Sequence, residues 1–195
     1  MGRKLEFDKN QALEKVMNSF WAKGYDATSM RDLAQHLGLH LGSVYNALGD
    51  KDKVFEDALH LNIQRHVLPH LEALTSSENP LSALDGFLNN VVGECVGKED
   101  KPGCFLINSL LDINNINPNI SQRLHDYLLQ IEDAFVTTIE KAIACGHIPA
   151  EKCPRQWGRF IMSSLFMLRT MAKLGVSEDY IHDIKNCTIR GLTHG

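Results

Sequence analysis

The chain has little that would place it in a membrane, cross-link it or mark it as strongly charged. No stretch of its 195 residues approaches the run of about 18 apolar residues that a membrane-spanning helix needs, which excludes a helical membrane protein and a membrane partner. The opening Met1-Gly2-Arg3-Lys4 carries charge, but no continuous apolar run follows it, so no signal peptide is predicted and a cytoplasmic location is expected. Five cysteines make an odd number, and without a secretory signal they predict free thiols rather than a disulfide framework. Hairpin signals and internal repeats are missing too, which argues against β and solenoid architectures. Cations are scarce. Twenty Lys and Arg stand against 24 Asp and Glu, a formal net charge of -4, and Met1 to Leu48 holds six basic residues against five acidic ones. Charge alone therefore does not point to nucleic acid, although helix N-termini and hydroxyls also hold phosphates.

What the chain does have is apolar substance, 44% of its residues, enough for one large domain or two small ones. The stretch that organises it is Thr28 to Phe55, TSMRDLAQHLGLHLGSVYNALGDKDKVF. Met30, Leu33, Ala34 and Leu37 recur at helical offsets, and Ser29 followed by Asp32 predicts a capping-box start. Gly38 ends that helix in a left-handed turn, Leu39 packs inward, and His40 to Leu48 restarts as a second helix. Val44 and Leu48, four apart, supply its buried edge. Leu41, Gly42, Ser43, Tyr45 and Asn46 leave a small, uncharged outer face near its N-terminus. Two short helices joined this way make a helix-turn-helix, whose second helix sets its N-terminal residues against base edges in the major groove.

Thr28, Ser29, the Arg31-Asp32-Leu33-Ala34 run, Gly38, Gly42-Ser43-Val44-Tyr45 and Gly49-Asp50-Lys51-Asp52 together resemble the N-terminal domain of the tetracycline-repressor-like (TetR) transcriptional regulators. The likeness extends upstream through Ala12 to Gly24, Tyr25 and Thr28, so it covers about the first quarter of the chain. Where the family often carries a basic residue near the start of the recognition helix, Leu41 stands beside His40. The resemblance implies a helix-turn-helix domain over residues 1–50 and a ligand-binding and dimerisation domain over 51–195. Both the resemblance and the helix geometry put His40, Gly42 and Ser43 nearest the bases, with Leu41 and Asn46 on the same face and Tyr45 on a phosphate. Thr28, Ser29 and Lys51 are further expected backbone contacts. The function implied is a sequence-specific DNA-binding repressor, homodimeric on a near-palindromic operator of double-stranded DNA. A small apolar or electrophilic inducer would release it.

In the rest of the chain, Asp8 predicts the cap of a helix reaching about Lys23, with Ala12, Val16 and Phe20 in one stripe and Leu13, Met17 and Trp21 beside it. Trp21 stands in register with that stripe and is expected to pack rather than stack on bases. Arg3 and Lys4 could touch phosphate, but a frayed terminus is the expectation. Asp50 opens a long helix that Pro69 should kink or end near His66. Further helices are predicted from Asn79-Pro80 to about Val96, over Cys104 to Ile113, from Ile120 to Cys145 with Pro118 near its start, from Trp157 to about Lys173, and from about Ser177 to Gly191. About nine helices and no strand make the fold all-α. Small Ser163 and Ser164 suit close helix approach, and the last two helices resemble the family's four-helix dimer interface, with Leu165 and Leu168 expected at the contact.

His66 and His70, one turn apart, have a metal-compatible spacing but no third ligand fixed in the sequence. Cys145, His147 and Cys153 fit no paired zinc pattern. No metal and no cofactor is expected. Cys104 opens a predicted helix close to Lys98 and Lys101, and both the helix dipole and nearby cations favour a thiolate. Gly103-Cys104-Phe105-Leu106 also resembles a subgroup of the family that includes regulators of electrophile defence, some of which sense through a cysteine. A small buried hydrophobe is the other reading of Cys104. An apolar ligand pocket is expected among Phe87, Val91, Cys104, Phe105, Leu106, Leu110, Leu128 and Phe135. Two other functions fit parts of the chain. A thiol enzyme built on Cys104 lacks a base placed in the sequence, and a helical binding protein without DNA recognition would suit Leu41 and the near-neutral head.

Overall fold

The computed structural model of the protein describes residues 8–96, 104–111 and 117–194. Arg3, Lys4, Lys98 and Lys101, to which the sequence gives phosphate-binding or thiol-activating roles, lie outside the described residues. Among the described residues every regular element is helical, and no helix is long and apolar enough to cross a membrane. In chain order the helices are α1 (Lys9–Lys23), α2 (Met30–Leu37), α3 (Leu41–Leu48), α4 (Lys51–Asn62), α5 (Leu68–Ser76), α6 (Pro80–Cys95), α7 (Phe105–Leu111), α8 (Pro118–Ala144), α9 (Pro154–Lys173) and α10 (Glu178–Thr193). α4 and α5 abut across a five-residue π segment, Ile63–Val67, so these ten helices form nine separate stretches. The wide turn falls just before Pro69, which lacks the N–H needed to continue the α-helical ladder.

The chain divides into two compact units, Met1–His66 with Cys104–Leu124, and Val67–Gly103 with His125–Gly195. The first is built on α1 and α4, which pack along each other. Asp8 caps α1 by accepting from the backbone N–H groups of Asn10 and Gln11, and the helix buries Ala12, Leu13, Val16, Met17 and Phe20. α4 answers with Val54, Phe55, Ala58 and Leu59, each at most 1% exposed. Without α4 the stripe of α1 would face water, so the two helices share one compact unit. α7 completes the same core. The ring of Phe105 lies 5.7 Å from that of Phe55 and 6.3 Å from that of Trp21. Two polar links tie the start of α8 to α4 as well, from the Asn117 amide to an Asp52 carboxylate oxygen at 3.0 Å and from Arg123 to Glu56 at 2.6 Å.

In the second unit α6, α9 and α10 pack mutually and α5 lies on α6. α9 buries Ile161, Ser164, Leu165, Leu168 and Ala172, while α10 buries Ile181, Thr188 and Leu192. The inward face of α10 is thus narrower than its apolar residues suggest, and Cys187 is exposed. Ser164 supplies the expected close approach, 3.3 Å from the Thr188 hydroxyl, whereas Ser163 faces out. α8 and α9 approach closely at Gly158, where an added Cβ would come within 2.9 Å of Val136. Buried Glu132 beside it accepts from Arg155 at 2.9 Å and Arg159 at 3.1 Å, so its carboxylate is paired twice.

Candidate nucleic-acid interface

The head positions α3 through a sequence of local devices. Ser29 accepts from the backbone N–H of Asp32, and the Asp32 carboxylate accepts from the backbone N–H and hydroxyl of Ser29. The Ser29 hydrogen bonds hold the Asp32 carboxyl below the ordinary carboxylate range, so it stays charged at the positive end of α2. α2 ends at Gly38, whose φ of 67° is the left-handed conformation glycine adopts without strain. The Leu39 N–H then returns to the Ala34 carbonyl, and the chain turns into α3 at His40.

Inside the turn, α3 is held by Val44 at 0% and Leu48 at 3% exposure. Its remaining side chains face outward. His40, Leu41, Gly42, Ser43, Tyr45 and Asn46 are all exposed, so the structure brings six of the sequence-predicted DNA contacts onto one continuous surface. At 100° per residue, Gly42 and Asn46 lie at the centre of that face, Leu41 and Tyr45 on one flank and Ser43 on the other. A Cβ on Gly42 would meet nothing within 4 Å, so the fold itself makes no demand for glycine there.

The three outlying contacts fare differently. Thr28 is fully buried and its hydroxyl donates to the Gly24 carbonyl at 2.8 Å, so it braces the entry to α2 and does not join the surface. Ser29 is exposed, but its hydroxyl is engaged in the capping box. Lys51 is half-buried, with its ammonium 4.2 Å from the centre of the Tyr25 ring and 3.4 Å from the Asp26 carbonyl. Sequence periodicity gave no sign of what Tyr25 does. Its ring packs 5.0 Å from Phe55, and its hydroxyl donates to Asp52, the same carboxylate that Asn117 reaches. This joins the α1–α2 turn, the first turn of α4 and the start of α8.

Burial first, and then the hydrogen bond to Asp52, push the Tyr25 hydroxyl well above the ordinary tyrosine range. A tyrosine in the unfolded chain begins to ionise near pH 10. The stabilisation from the neutral phenol is fully present below that pH and is lost as pH rises toward the folded-state pKa, because the unfolded chain gives up a proton that the head retains. Urea unfolding followed from about pH 8 to about pH 11 should show this decline in the wild type and a shallower one in Tyr25→Phe. Equal slopes would remove Tyr25 as its source.

The residues grouped by sequence as a ligand pocket divide between the two units. Cys104, Phe105, Leu106 and Leu110 belong to the first, where Phe105 is committed to the aromatic core. Phe87, Val91, Leu128 and Phe135 belong to the second, in which half-buried Phe87 stands 5.5 Å from the fully buried Phe135 ring and 6.4 Å from His70. His66 instead lies beside Trp21, 6.4 Å away. The two histidines therefore have different neighbours, and no group of three His, Cys, Asp or Glu among the described residues could hold a metal.

Residues 13–58 match the family model described as bacterial regulatory proteins, tetR family, and residues 80–187 match that of the tetracyclin repressor-like C-terminal domain. The HTH-type transcriptional repressor ComR of Escherichia coli is 26% identical over 190 residues, spanning 97% of this chain and 90% of that protein. YezE of Bacillus subtilis, an HTH-type transcriptional regulator, is 26% identical over 184 residues, 94% of this chain and 95% of its own. Among solved structures, a cysteine variant of the TetR family regulator CifR bound to a 26 bp operator duplex superposes with a TM-score of 0.84 at 22% identity, covering 98% of this chain and 100% of that one. The reduced form of NemR from E. coli gives 0.85 at 11% identity, with 95% and 96% covered. At these identities the structural likenesses show a shared fold.

Proposed function

Because the chain belongs to the TetR family of bacterial transcriptional regulators, we propose that it is a repressor that grips a near-palindromic operator as a homodimer and releases it on binding a small apolar or electrophilic compound. One observation carries the DNA-reading part: the exposed, uncharged face of α3 from His40 to Asn46, on a helix fixed from behind by Val44 and Leu48. A glycine that the fold does not require sits at its centre, which suits an approach closer than any side chain would permit. His40, Leu41, Gly42, Ser43 and Asn46 face the bases in this reading and Tyr45 bonds a phosphate. Ser29 and Lys51 reach the backbone at the edges, while Thr28 acts only as a brace.

The helix-turn-helix of residues 1–50 is the DNA-binding part, braced by α4 and α7, and the ligand is taken up among Phe87, Val91, Leu128 and Phe135. Cys104, Phe105 and Leu110, grouped with these by the sequence, lie on the segment packed into the head core. For the ligand to release DNA it must favour the released state, and a preference of roughly 3 kcal/mol changes operator affinity about a hundredfold. The family consists of regulators, and no turnover is assigned to Cys104.

Tyr45→Ala tests the placement of that face on DNA. The variant loses one hydrogen bond to a charged phosphate in each head, so it should bind operator and scrambled duplex more weakly by a similar factor of about a hundred. Ser43→Ala should instead change which operator variants bind well. An unchanged affinity of Tyr45→Ala for both duplexes would mean that this face does not meet DNA.

A further inference from the structure

Base recognition in the major groove most often uses Arg or Lys, whose donors fit guanine O6 and N7. α3 offers neither. Between Arg31 and Lys51 the only residues able to carry positive charge are His36 and His40, and Lys51 is drawn over the Tyr25 ring. The first residue of α3 is instead Leu41, 36% exposed. Val44 and Leu48 are the α3 side chains buried in the head, at 0% and 3% exposure, and Leu41 lies at the edge of that inward stripe, partly open to solvent. Gly42 beside it has no side chain, so nothing on that side stands ahead of the leucine. An exposed leucine gains from contact only when what it meets is apolar. On the major-groove edges of DNA the one apolar group is the C5-methyl of thymine.

We propose that Leu41 is a specificity-determining residue that packs against a thymine C5-methyl in each half-site, so that α3 selects an A·T pair at that position. The proposal rests on the DNA-reading role given to α3 above and names the chemistry it reads. Cytosine has no methyl to offer. A guanine there would leave its O6 and N7 acceptors stripped of water against a hydrocarbon side chain, without a donor in return. Asn46, one turn beyond Gly42 on the same face, carries the amide that pairs with adenine N6 and N7. Leu41 and Asn46 are thus both suited to A·T edges.

The test uses the full-length protein and a duplex that it selects from a random-sequence pool. That duplex is resynthesised with deoxyuridine in place of each thymine in turn, a change that removes only the methyl. In each half-site, one such replacement is expected to weaken wild-type binding about fourfold, the worth of one methyl-sized group removed from water. Replacement in both half-sites should weaken it about fifteenfold. Leu41→Ala, compared at a temperature where its melting curve shows it folded, is expected to be insensitive to the same replacement. Deoxyuridine duplexes that bind the wild type as tightly as the parent, or that weaken wild type and Leu41→Ala alike, overturn the thymine contact while sequence-specific binding stands. A pool from which no sequence is enriched overturns the DNA-reading role itself, and the contact with it.

Discussion

A Phe160→Glu, Met167→Glu double variant is expected to sediment as a folded monomer and to lose about 10²- to 10⁴-fold in operator affinity, the advantage that two linked heads hold over one. Phe160, Met167 and Leu174 stand seven residues apart along α9 and its end, at 50%, 46% and 70% exposure, with Tyr180 of α10 at 45%. Large apolar groups this exposed and repeated at one face mark an association surface. A two-fold pairing through this stripe would cover them on both copies and let two recognition helices meet half-sites whole helical turns apart. The charges must go on this outer stripe. Leu165 and Leu168, which the family resemblance placed at the contact, are 7% and 0% exposed and belong to the core of the second unit. A glutamate at either would place an unpaired charge in that core and unfold it, so it would report on folding rather than on pairing. A double variant that still sediments as a dimer would move the interface to another face.

Phe55→Ala should lower the stability of the head by about 3–5 kcal/mol, the usual cost of emptying a buried phenylalanine site, out of the roughly 5–15 kcal/mol that holds a whole domain together. The side chain is 1% exposed, and its ring lies 5.0 Å from those of both Phe20 and Tyr25 and 5.7 Å from that of Phe105. Those contacts come from α1, the α1–α2 turn and α7, so one truncation loosens three supports of the helix-turn-helix. Urea unfolding, followed by the emission of Trp21 beside Phe105, measures the loss. A decrease below about 1 kcal/mol would mean that this aromatic cluster is not what holds the head.

The helix-turn-helix was legible in the sequence because each of its devices is local. Ser29 and Asp32 are three residues apart, Gly38 needs only its own φ, and Val44 and Leu48 are one turn apart. What the sequence left obscure depends on distant partners. Phe105 enters the head core from some 40 residues beyond the last helix it packs on, and Asp52 meets Asn117 across 65 residues, so neither contact leaves a periodic trace. α9 is apolar on two faces. Periodicity can find both stripes, yet it cannot say that Leu165 and Leu168 point inward while Phe160 and Met167 point outward. Thr28 misled for a related reason, since a hydroxyl near a helix start suits a phosphate and a backbone carbonyl equally well, and here the carbonyl of Gly24 takes it.

The lack of lysine and arginine on α3 also bears on how the protein spends its time between operators. Binding to random DNA is almost wholly the release of counterions by basic side chains, and it weakens steeply with salt when those are many. A reading helix that contributes none adds nothing to that grip, which would have to come from basic side chains elsewhere on the protein. If α3 reads the operator as proposed, the helix that carries sequence information is then separate from the charges that set the salt dependence of binding.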